Sequence, residues 1–200
     1  MQDVKSQIED LEKEIAEKKQ RLKALKKSEP HTPVKNYEFL GEDGSSVTLL
    51  NLFEDKDELM VIHNMGKSCS YCTMWADGMK GVYEYLSHKA PFVLSSPDSP
   101  EVQATLAQER NWPFPMVSTQ NNTFKEDLGF FKDGMRYPGV SIFTKTAENE
   151  IHLVINDFFG PGDDYCSPWH FFDLLPSGSE GFNPNVVNGK KKLPNKSQET

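Results

Sequence analysis

The sequence is short of cysteine, of long apolar runs and of positive charge. It has three cysteines in 200 residues, and this odd number argues against a framework of structural disulfides. No apolar run is long enough to span a membrane, and the polar start from Met1 to Lys5 lacks a signal-peptide pattern. We therefore predict a soluble, cytoplasmic protein without a membrane partner.

Positive charge is outnumbered by negative charge. The chain has 22 Lys and Arg against 30 Asp and Glu, so its formal net charge is -8. An acidic chain offers no electrostatic footprint for a polyanion, which argues against nucleic acid as a partner.

Residues 1–29 have the pattern of a charged N-terminal helix. Five apolar side chains recur there at helical spacing: Ile8, Leu11, Ile15, Leu22 and Leu25. Pro30 and Pro33 then end the helix. Because so narrow an apolar stripe does not stabilise an isolated helix, we expect it to pack on its own domain or to pair with a second copy in a homodimer.

Residues 34–176 carry the apolar and aromatic content of the folded domain. Residues 37–40 and 46–50 flank a glycine-bearing turn and predict a β-hairpin. The apolar run from Glu58 to Met65 is typical of a central strand buried on both faces. Further strands are predicted at 92–95, 116–118, 140–143 and 151–155, and helices at 70–87, 100–110 and 169–175. This order predicts an α/β fold with a mixed sheet flanked by helices. Residues 177–200 are rich in Gly, Pro, Asn and Lys and predict a disordered tail.

Cys69 and Cys72 lie at the start of the helix that follows the central strand. Unpaired N–H groups and the dipole at a helix N-terminus favour a thiolate, so the pKa of Cys69 is expected below the free value of about 8.5. The sequence thus predicts Cys69 as the nucleophile and Cys72 as the resolving thiol, with no cofactor. Lys67 either supports the thiolate or is an ordinary exposed loop lysine.

Two other interpretations of the cysteine pair stay open. A C-x-x-C is also half of a zinc site, but the remaining candidate ligands do not have the spacing of a second half: His63, Cys166 and His170. The two thiols would otherwise be inert core residues. Cys166 itself is expected to be a partly buried free thiol, and Trp75 to pack in the core next to the site.

The run from Cys69 to Gly78, CSYCTMWADG, resembles the signature of a bacterial thioredoxin-like family known as domain of unknown function 899. The resemblance also takes in the N-terminal helix, Phe39 to Phe53, Trp112 to Pro115, and Tyr137 to Phe143. It implies a thioredoxin-like fold of the peroxiredoxin branch with an N-terminal helical extension. It also implies a dithiol–disulfide oxidoreductase, but no particular substrate.

Comparison with thioredoxins implies further site residues. Pro138 stands where thioredoxins have a cis-proline that faces the cysteines, so we expect a cis bond at Pro138 and a substrate-binding role for the carbonyl of Tyr137. His63 stands where thioredoxins have a buried acid. It is expected either to accept a proton from Cys72, to support the thiolate as a cation, or to be a packed strand histidine.

Three functions follow as alternatives. The first is a dithiol–disulfide oxidoreductase that acts on a disulfide-bearing protein or a small thiol or disulfide, and that needs a reductase for regeneration. The second is a non-catalytic binding or scaffold protein that dimerises through its N-terminal helix. The third, thiol peroxidase, is weaker: Gly66 replaces the Thr or Ser of the peroxiredoxin motif, and no proline occurs between Met60 and Cys69.

Overall fold

An eight-stranded mixed sheet organises the computed structural model, which describes residues 3–190. The strands are β1 (Thr32–Pro33), β2 (Glu38–Leu40), β3 (Ser46–Thr48), β4 (Glu58–His63), β5 (Phe92–Ser96), β6 (Met116–Ser118), β7 (Phe131–Lys132), β8 (Met135–Arg136), β9 (Gly139–Lys145) and β10 (Ile151–Phe158). The helices are α1 (Val4–Ser28), α2 (Ser70–Lys80), α3 (Tyr83–Lys89), α4 (Pro100–Arg110), α5 (Phe124–Asp127), α6 (Ser167–Phe172) and α7 (Pro184–Lys190), and Asn51–Phe53 is a 3-10 turn. No helix among these residues combines the length and the apolar character that crossing a membrane requires.

The strand order across the sheet is β1-β10-β9-β4-β5-β6-β2-β3, and β7 and β8 pair with each other in a separate two-stranded sheet. Strands β4, β5 and β6 are parallel to one another, whereas β9 runs antiparallel to β4 on its other side. In β4, Val61 lies opposite Val93 on one side and Ser141 on the other. The predicted central strand and the predicted mixed α/β sheet are confirmed.

Successive residues of the central strands β4 and β5 belong to two separate apolar clusters. Val61 and Val93 belong to one apolar cluster, whereas Ile62 and Leu94 belong to the other. Because side chains alternate between the faces of a strand, the two clusters lie on opposite faces of the sheet. Both faces are therefore covered, which explains why β4 is a continuous apolar run in the sequence.

The predicted helix 70–87 is in fact two helices. Helix α2 ends at Lys80, and the N–H of Gly81 donates to the carbonyls of Gly78 and Met79 before α3 begins at Tyr83. Glycine costs more backbone entropy in a helix than alanine does, so the Gly-rich stretch is where the helix breaks.

The C-terminal part of the chain is more ordered than predicted up to residue 190. Helix α7 lies within the predicted tail 177–200, and the ring of Phe182 packs 4.8 Å from Phe172 and 5.9 Å from Trp169. Aromatic anchoring, which depends on tertiary contacts, overrides the polar composition of this segment. The rest of the predicted tail, 191–200, lies outside the described residues, and the domain limits at 29, 34 and 176 stay a prediction.

Helix α1 is present as predicted, and two ion pairs connect it to the domain. None of the residues from Val4 to Ser28 is buried. The ammonium of Lys19 lies 2.9 Å from Asp164, and that of Lys26 lies 2.5 Å from Asp157. The helix therefore touches its own domain without burying its apolar stripe there.

Candidate functional site

A tight turn after β4 places Cys69 at the start of α2. Gly66 has a φ of +107°, a conformation that L side chains rarely adopt, and a Cβ there would meet Asp98 Oδ1 at 3.2 Å. The side chain of Asn64 accepts the Gly66 N–H at 2.8 Å, and Asp98 Oδ2 accepts the Lys67 N–H at 2.7 Å. The turn is held by these contacts, and its geometry fixes where the cysteine helix begins.

Cys69 is the N-cap residue of α2 and is half-buried. Its Sγ accepts the N–H of Cys72 at 3.1 Å. Hydrogen bonding from the Cys72 side chain, helped by the N–H groups of Cys72 and Tyr71, lowers the pKa of Cys69 to about 7 against the opposing effect of burial. Cys69 is thus both accessible and poised to be a thiolate near neutral pH.

Cys72 has the opposite environment, with only 3% of its surface exposed. Its hydrogen bond to Cys69, its burial and the nearby Cys69 charge raise its pKa far above the ordinary value. Its Sγ accepts the N–H of Met65 at 3.4 Å. In the reduced protein, Cys72 is therefore a protonated thiol that donates to Cys69.

Lys125 is a further residue of this site that the sequence analysis missed. It lies in α5 and is 4% exposed, and its Nζ donates to the carbonyls of Asn64 at 3.1 Å and Ser95 at 3.4 Å. Burial lowers the pKa of Lys125 to about 7, and a negative charge on Cys72 acts in the opposite direction when that thiol ionises. The sequence holds only a faint signal: Phe124 and Leu128 put Lys125 beside an apolar face, where a lysine normally extends to solvent.

His63 is a packed, neutral strand histidine. Its ring stacks between Phe124 and Phe130, with centroid distances of 5.2 and 3.6 Å, and its Nε2 lies 2.7 Å from Ser141 Oγ. Burial, followed by the charge of Lys125, holds the pKa of His63 well below its ordinary value. The structure thus favours the packed alternative over the cationic one, and the hydrogen bond of His63 goes to Ser141 instead of Cys72.

Pro138 lies near Cys72, but its peptide bond is trans. It lines a small cavity together with Cys72, His63 and Trp75. No peptide bond among residues 3–190 is cis, so the expectation of a cis bond between Tyr137 and Pro138 is wrong. The carbonyl of Pro138 accepts the N–H of Phe159 at 2.9 Å, and this contact docks the residue against the end of β10.

The remaining predicted side chains hold the turn, pack in the cores or are exposed. Lys67 is exposed, and its backbone N–H makes the contact to the turn. Tyr137 donates its N–H to Phe130 at 2.8 Å and packs against one core. Trp75 is buried as predicted, and its indole N–H donates to Asp163 at 2.9 Å.

The third thiol lies at α6, outside the C-x-x-C of α2. Cys166 is buried at the N-terminus of α6, and burial, with the charge of Asp163, raises its pKa to about 11. His170 has its Nε2 3.7 Å from Asp164. Within residues 3–190, no three or more His, Cys, Asp and Glu side chains are grouped as metal ligands.

The mixed sheet and the cysteine pair at the N-terminus of the helix after its central strand define a thioredoxin-like protein. A family model described as "Bacterial protein of unknown function (DUF899)" matches residues 3–192, nearly the whole chain. The chain belongs to this family, which confirms the resemblance drawn from its sequence. No curated protein sequence matches the chain.

Solved structures of peroxiredoxins share the fold. Prx3 from Vibrio vulnificus, solved reduced and in complex with hydrogen peroxide, has a TM-score of 0.53 at 13% identity, over 66% of this chain and 88% of that one. A PrxQ mutant from Xylella fastidiosa has a TM-score of 0.52 at 12% identity, over 65% and 85%. Peroxidoxin BcpB from Mycobacterium tuberculosis has a TM-score of 0.50 at 18% identity, over 60% and 80%. These similarities confirm the predicted thioredoxin-like fold.

Proposed function

We propose that the protein is a dithiol–disulfide oxidoreductase in which Cys69 attacks and Cys72 resolves. The observation that carries this proposal is the asymmetry of the two thiols. Cys69 is half-buried with its pKa lowered to about 7, whereas Cys72 is buried and its pKa is raised. Their hydrogen bond produces both shifts, as expected for a nucleophile and a reserve thiol.

The reaction proceeds through a mixed disulfide. The Cys69 thiolate attacks one sulfur of a substrate disulfide, forms a new S–S bond, and releases the other substrate sulfur as a thiolate. Cys72 then loses its proton to solvent and attacks Cys69 Sγ, which forms the Cys69–Cys72 disulfide and releases the second substrate thiolate. The substrate gains two electrons, the protein loses two, and an external reductase restores the dithiol.

The substrate class is a disulfide-bearing protein or a small thiol or disulfide. Cys69 is half-buried at the N-terminus of α2, whereas Cys72 is buried, so a substrate disulfide reaches Cys69 first. The trans bond at Pro138 removes the thioredoxin-type cis-proline from this proposal. Tyr137 and Pro138 stay proposed as substrate-binding residues, because Pro138 and Cys72 line the same small cavity.

The pH dependence of Cys69 alkylation tests the proposal. Because the folded-state pKa of Cys69 is about 7, the iodoacetamide rate should rise with pH through an inflection near 7. In Cys72→Ala the largest cause of the shift is removed, so the inflection should move up by about one unit, toward the free-thiol value. Peptide-resolved mass spectrometry measures both, and an inflection at the free-thiol value in the unmodified protein would contradict a poised nucleophile.

A second candidate function is dimerisation through α1, with or without redox activity. All five stripe residues of α1 are more than half exposed: Ile8, Leu11, Ile15, Leu22 and Leu25. A row of exposed apolar side chains on a 25-residue helix indicates a partner, and a second α1 offers a complementary stripe. A purely non-catalytic scaffold would use this surface and leave the thiols inert.

Two double variants of α1 test whether dimerisation depends on the apolar stripe or on any change to the helix surface. Leu11→Gln with Ile15→Gln should convert a dimer to a monomer, because it removes the apolar stripe. Glu9→Gln with Glu17→Gln changes the side of the helix opposite the stripe and should leave the dimer intact. Light scattering after size exclusion measures the mass, and a monomeric unmodified protein would rule out this surface as a dimer interface.

Thiol peroxidase is a third candidate, favoured only by the shared fold of the peroxiredoxins. Against it, Gly66 occupies the Thr or Ser position of the peroxiredoxin motif, and no proline occurs between Met60 and Cys69. Peroxide consumption by the reduced protein distinguishes the two activities. Rapid, Cys69-dependent consumption together with slow disulfide reduction would favour the peroxidase.

A further inference from the structure

Lys125 is a buried lysine that has no carboxylate partner among residues 3–190. Its Nζ is held by the Asn64 and Ser95 carbonyls and lies 3.5 Å from Ser95 Oγ, at the ends of β4 and β5. Among residues 3–190, no Asp or Glu oxygen lies within 4.0 Å of this ammonium. Placing an unpaired ammonium in a protein interior is costly, and such groups gather at functional sites.

A single peptide group connects Lys125 to the resolving cysteine. The carbonyl of Asn64 accepts from Lys125 Nζ at 3.1 Å, and the N–H of the same peptide unit, which belongs to Met65, donates to Cys72 Sγ at 3.4 Å. A cation on the carbonyl polarises the peptide and makes its N–H a stronger donor. A stronger donor favours the thiolate form of Cys72 over the thiol.

We propose that Lys125 is a positioning residue that promotes deprotonation of Cys72 in the resolving step, through the Asn64–Met65 peptide group. This inference rests on the proposed dithiol–disulfide activity and adds a residue to it. It concerns the second chemical step alone, because Cys69 attacks the substrate before Cys72 has to ionise.

The order of events supports a role that begins only after the first attack. In the reduced protein, the hydrogen bond to Cys69 is the largest cause that holds the pKa of Cys72 high. Once Cys69 is bonded to a substrate sulfur it carries no negative charge, so its Coulomb effect on Cys72 is lost and its hydrogen bond weakens. Burial then still opposes ionisation, while the Met65 N–H and the Lys125 charge favour it. Cys72 loses its proton to solvent, its thiolate bonds to Cys69 Sγ, and the substrate thiolate leaves.

The charge state of Lys125 is set by several groups around it. Burial and, to a smaller extent, Arg136 lower its pKa, whereas Cys72, Glu126 and Asp98 raise it, and the net result is a pKa of about 7. The neutral ring of His63 also lies close enough for its own pKa to be lowered by Lys125. Lys125 is therefore largely charged below pH 7 and loses its proton as the pH rises above 7. When Cys72 becomes a thiolate, its negative charge raises the pKa of Lys125 and so favours the charged ammonium.

The two chemical steps can be followed separately with dithiobis(nitrobenzoate). Attack by Cys69 releases one coloured thiolate, and resolution by Cys72 releases a second, in a Cys166→Ala background that removes the third thiol. Lys125→Met should slow the second release at least about tenfold and shift its pH profile up by about one unit, and leave the first release within about threefold. Lys89→Met, which removes an exposed lysine at the end of α3, should change neither phase.

The outcomes separate this inference from the activity on which it rests. Without a first release, the proposed oxidoreductase itself fails. A normal first release with an unchanged second release in a folded Lys125→Met protein overturns the role of Lys125. Lys125→Arg, which keeps the charge, should retain more of the second-phase rate than Lys125→Met.

A measurement without any change at Lys125 covers the case in which Lys125→Met does not fold. In a Cys69→Ala, Cys72→Ala protein, which has no thiol beside Met65, the amide NMR signal of Met65 should titrate at or somewhat below pH 7. Lys125 polarises that peptide group, and it no longer has the Cys72 charge that raises its pKa. A Met65 amide that is insensitive to pH in this range would overturn the proposed coupling.

Discussion

Cys69→Ser should reduce disulfide turnover by at least about 1,000-fold, because a serine hydroxyl is a far weaker nucleophile than a thiolate at neutral pH. The half-buried position of Cys69 at the N-terminus of α2 is kept by serine, which is itself a good N-cap residue. The fold should therefore survive, and the loss should be chemical. Turnover of a small disulfide with a dithiol as reductant measures the effect.

Matched variants make this expectation specific to one thiol. Cys72→Ser should complete the first attack and then stop, so that intact-mass spectrometry detects a stable adduct on Cys69. Cys166→Ser should retain turnover, because Cys166 is buried at the N-terminus of α6 and the pKa of its thiol is raised to about 11. Turnover that is unchanged in Cys69→Ser would remove catalysis by this thiol and leave the scaffold function through α1.

The cysteine pair and its helix could be predicted from the sequence because their signals are local. An apolar run, a glycine-bearing turn and a C-x-x-C follow one another between Glu58 and Cys72. The structure has each of these as a strand, a turn at Gly66 and a helix. Propensity, turn chemistry and hydrophobic pattern agree here, and such agreement is what makes a local structure predictable.

Lys125 could not be predicted, because its burial is a long-range effect. It lies 61 residues from Asn64 along the chain, yet the Asn64 carbonyl holds its ammonium. No pattern around Lys125 reports which strand ends it will meet. The conformation at Pro138 is a similar case: a resemblance suggested a cis bond, but the surrounding contacts determine the isomer.

The tail shows the opposite error, in which composition outweighed a few anchoring residues. Residues 177–190 are mostly polar, but Phe182 reaches the ring of Phe172, and α7 follows. A single aromatic side chain that finds an apolar neighbour orders a segment that would otherwise be called disordered. Sequence composition averages over such residues and cannot identify them.

Gly139→Ala should destabilise the protein by about 3 kcal/mol and lower Tm by about 10 °C, because β9 begins at a point with no room for a Cβ. The added carbon would overlap the carbonyl oxygen of Asp157 and approach Phe130 Cε1 to 2.5 Å. The first of these atoms belongs to the backbone of the neighbouring strand, so a side-chain rotation does not relieve the overlap. Thermal and denaturant unfolding measure the change.

Gly78→Ala is the control for this change, since a Cβ at Gly78 meets no other part of the structure within 4 Å. It lies inside α2, where alanine should stabilise the helix by about 0.5–1 kcal/mol. The two substitutions are chemically identical, and their effects on the free energy of unfolding should have opposite signs.

The effect at Gly139 should also reach the candidate site, because Gly139 pairs with His63 and follows Pro138, and Phe130 stacks on His63. A Gly139→Ala protein with unchanged Tm would contradict this expectation. It would show that β10 can move away from β9 to make room for the added Cβ.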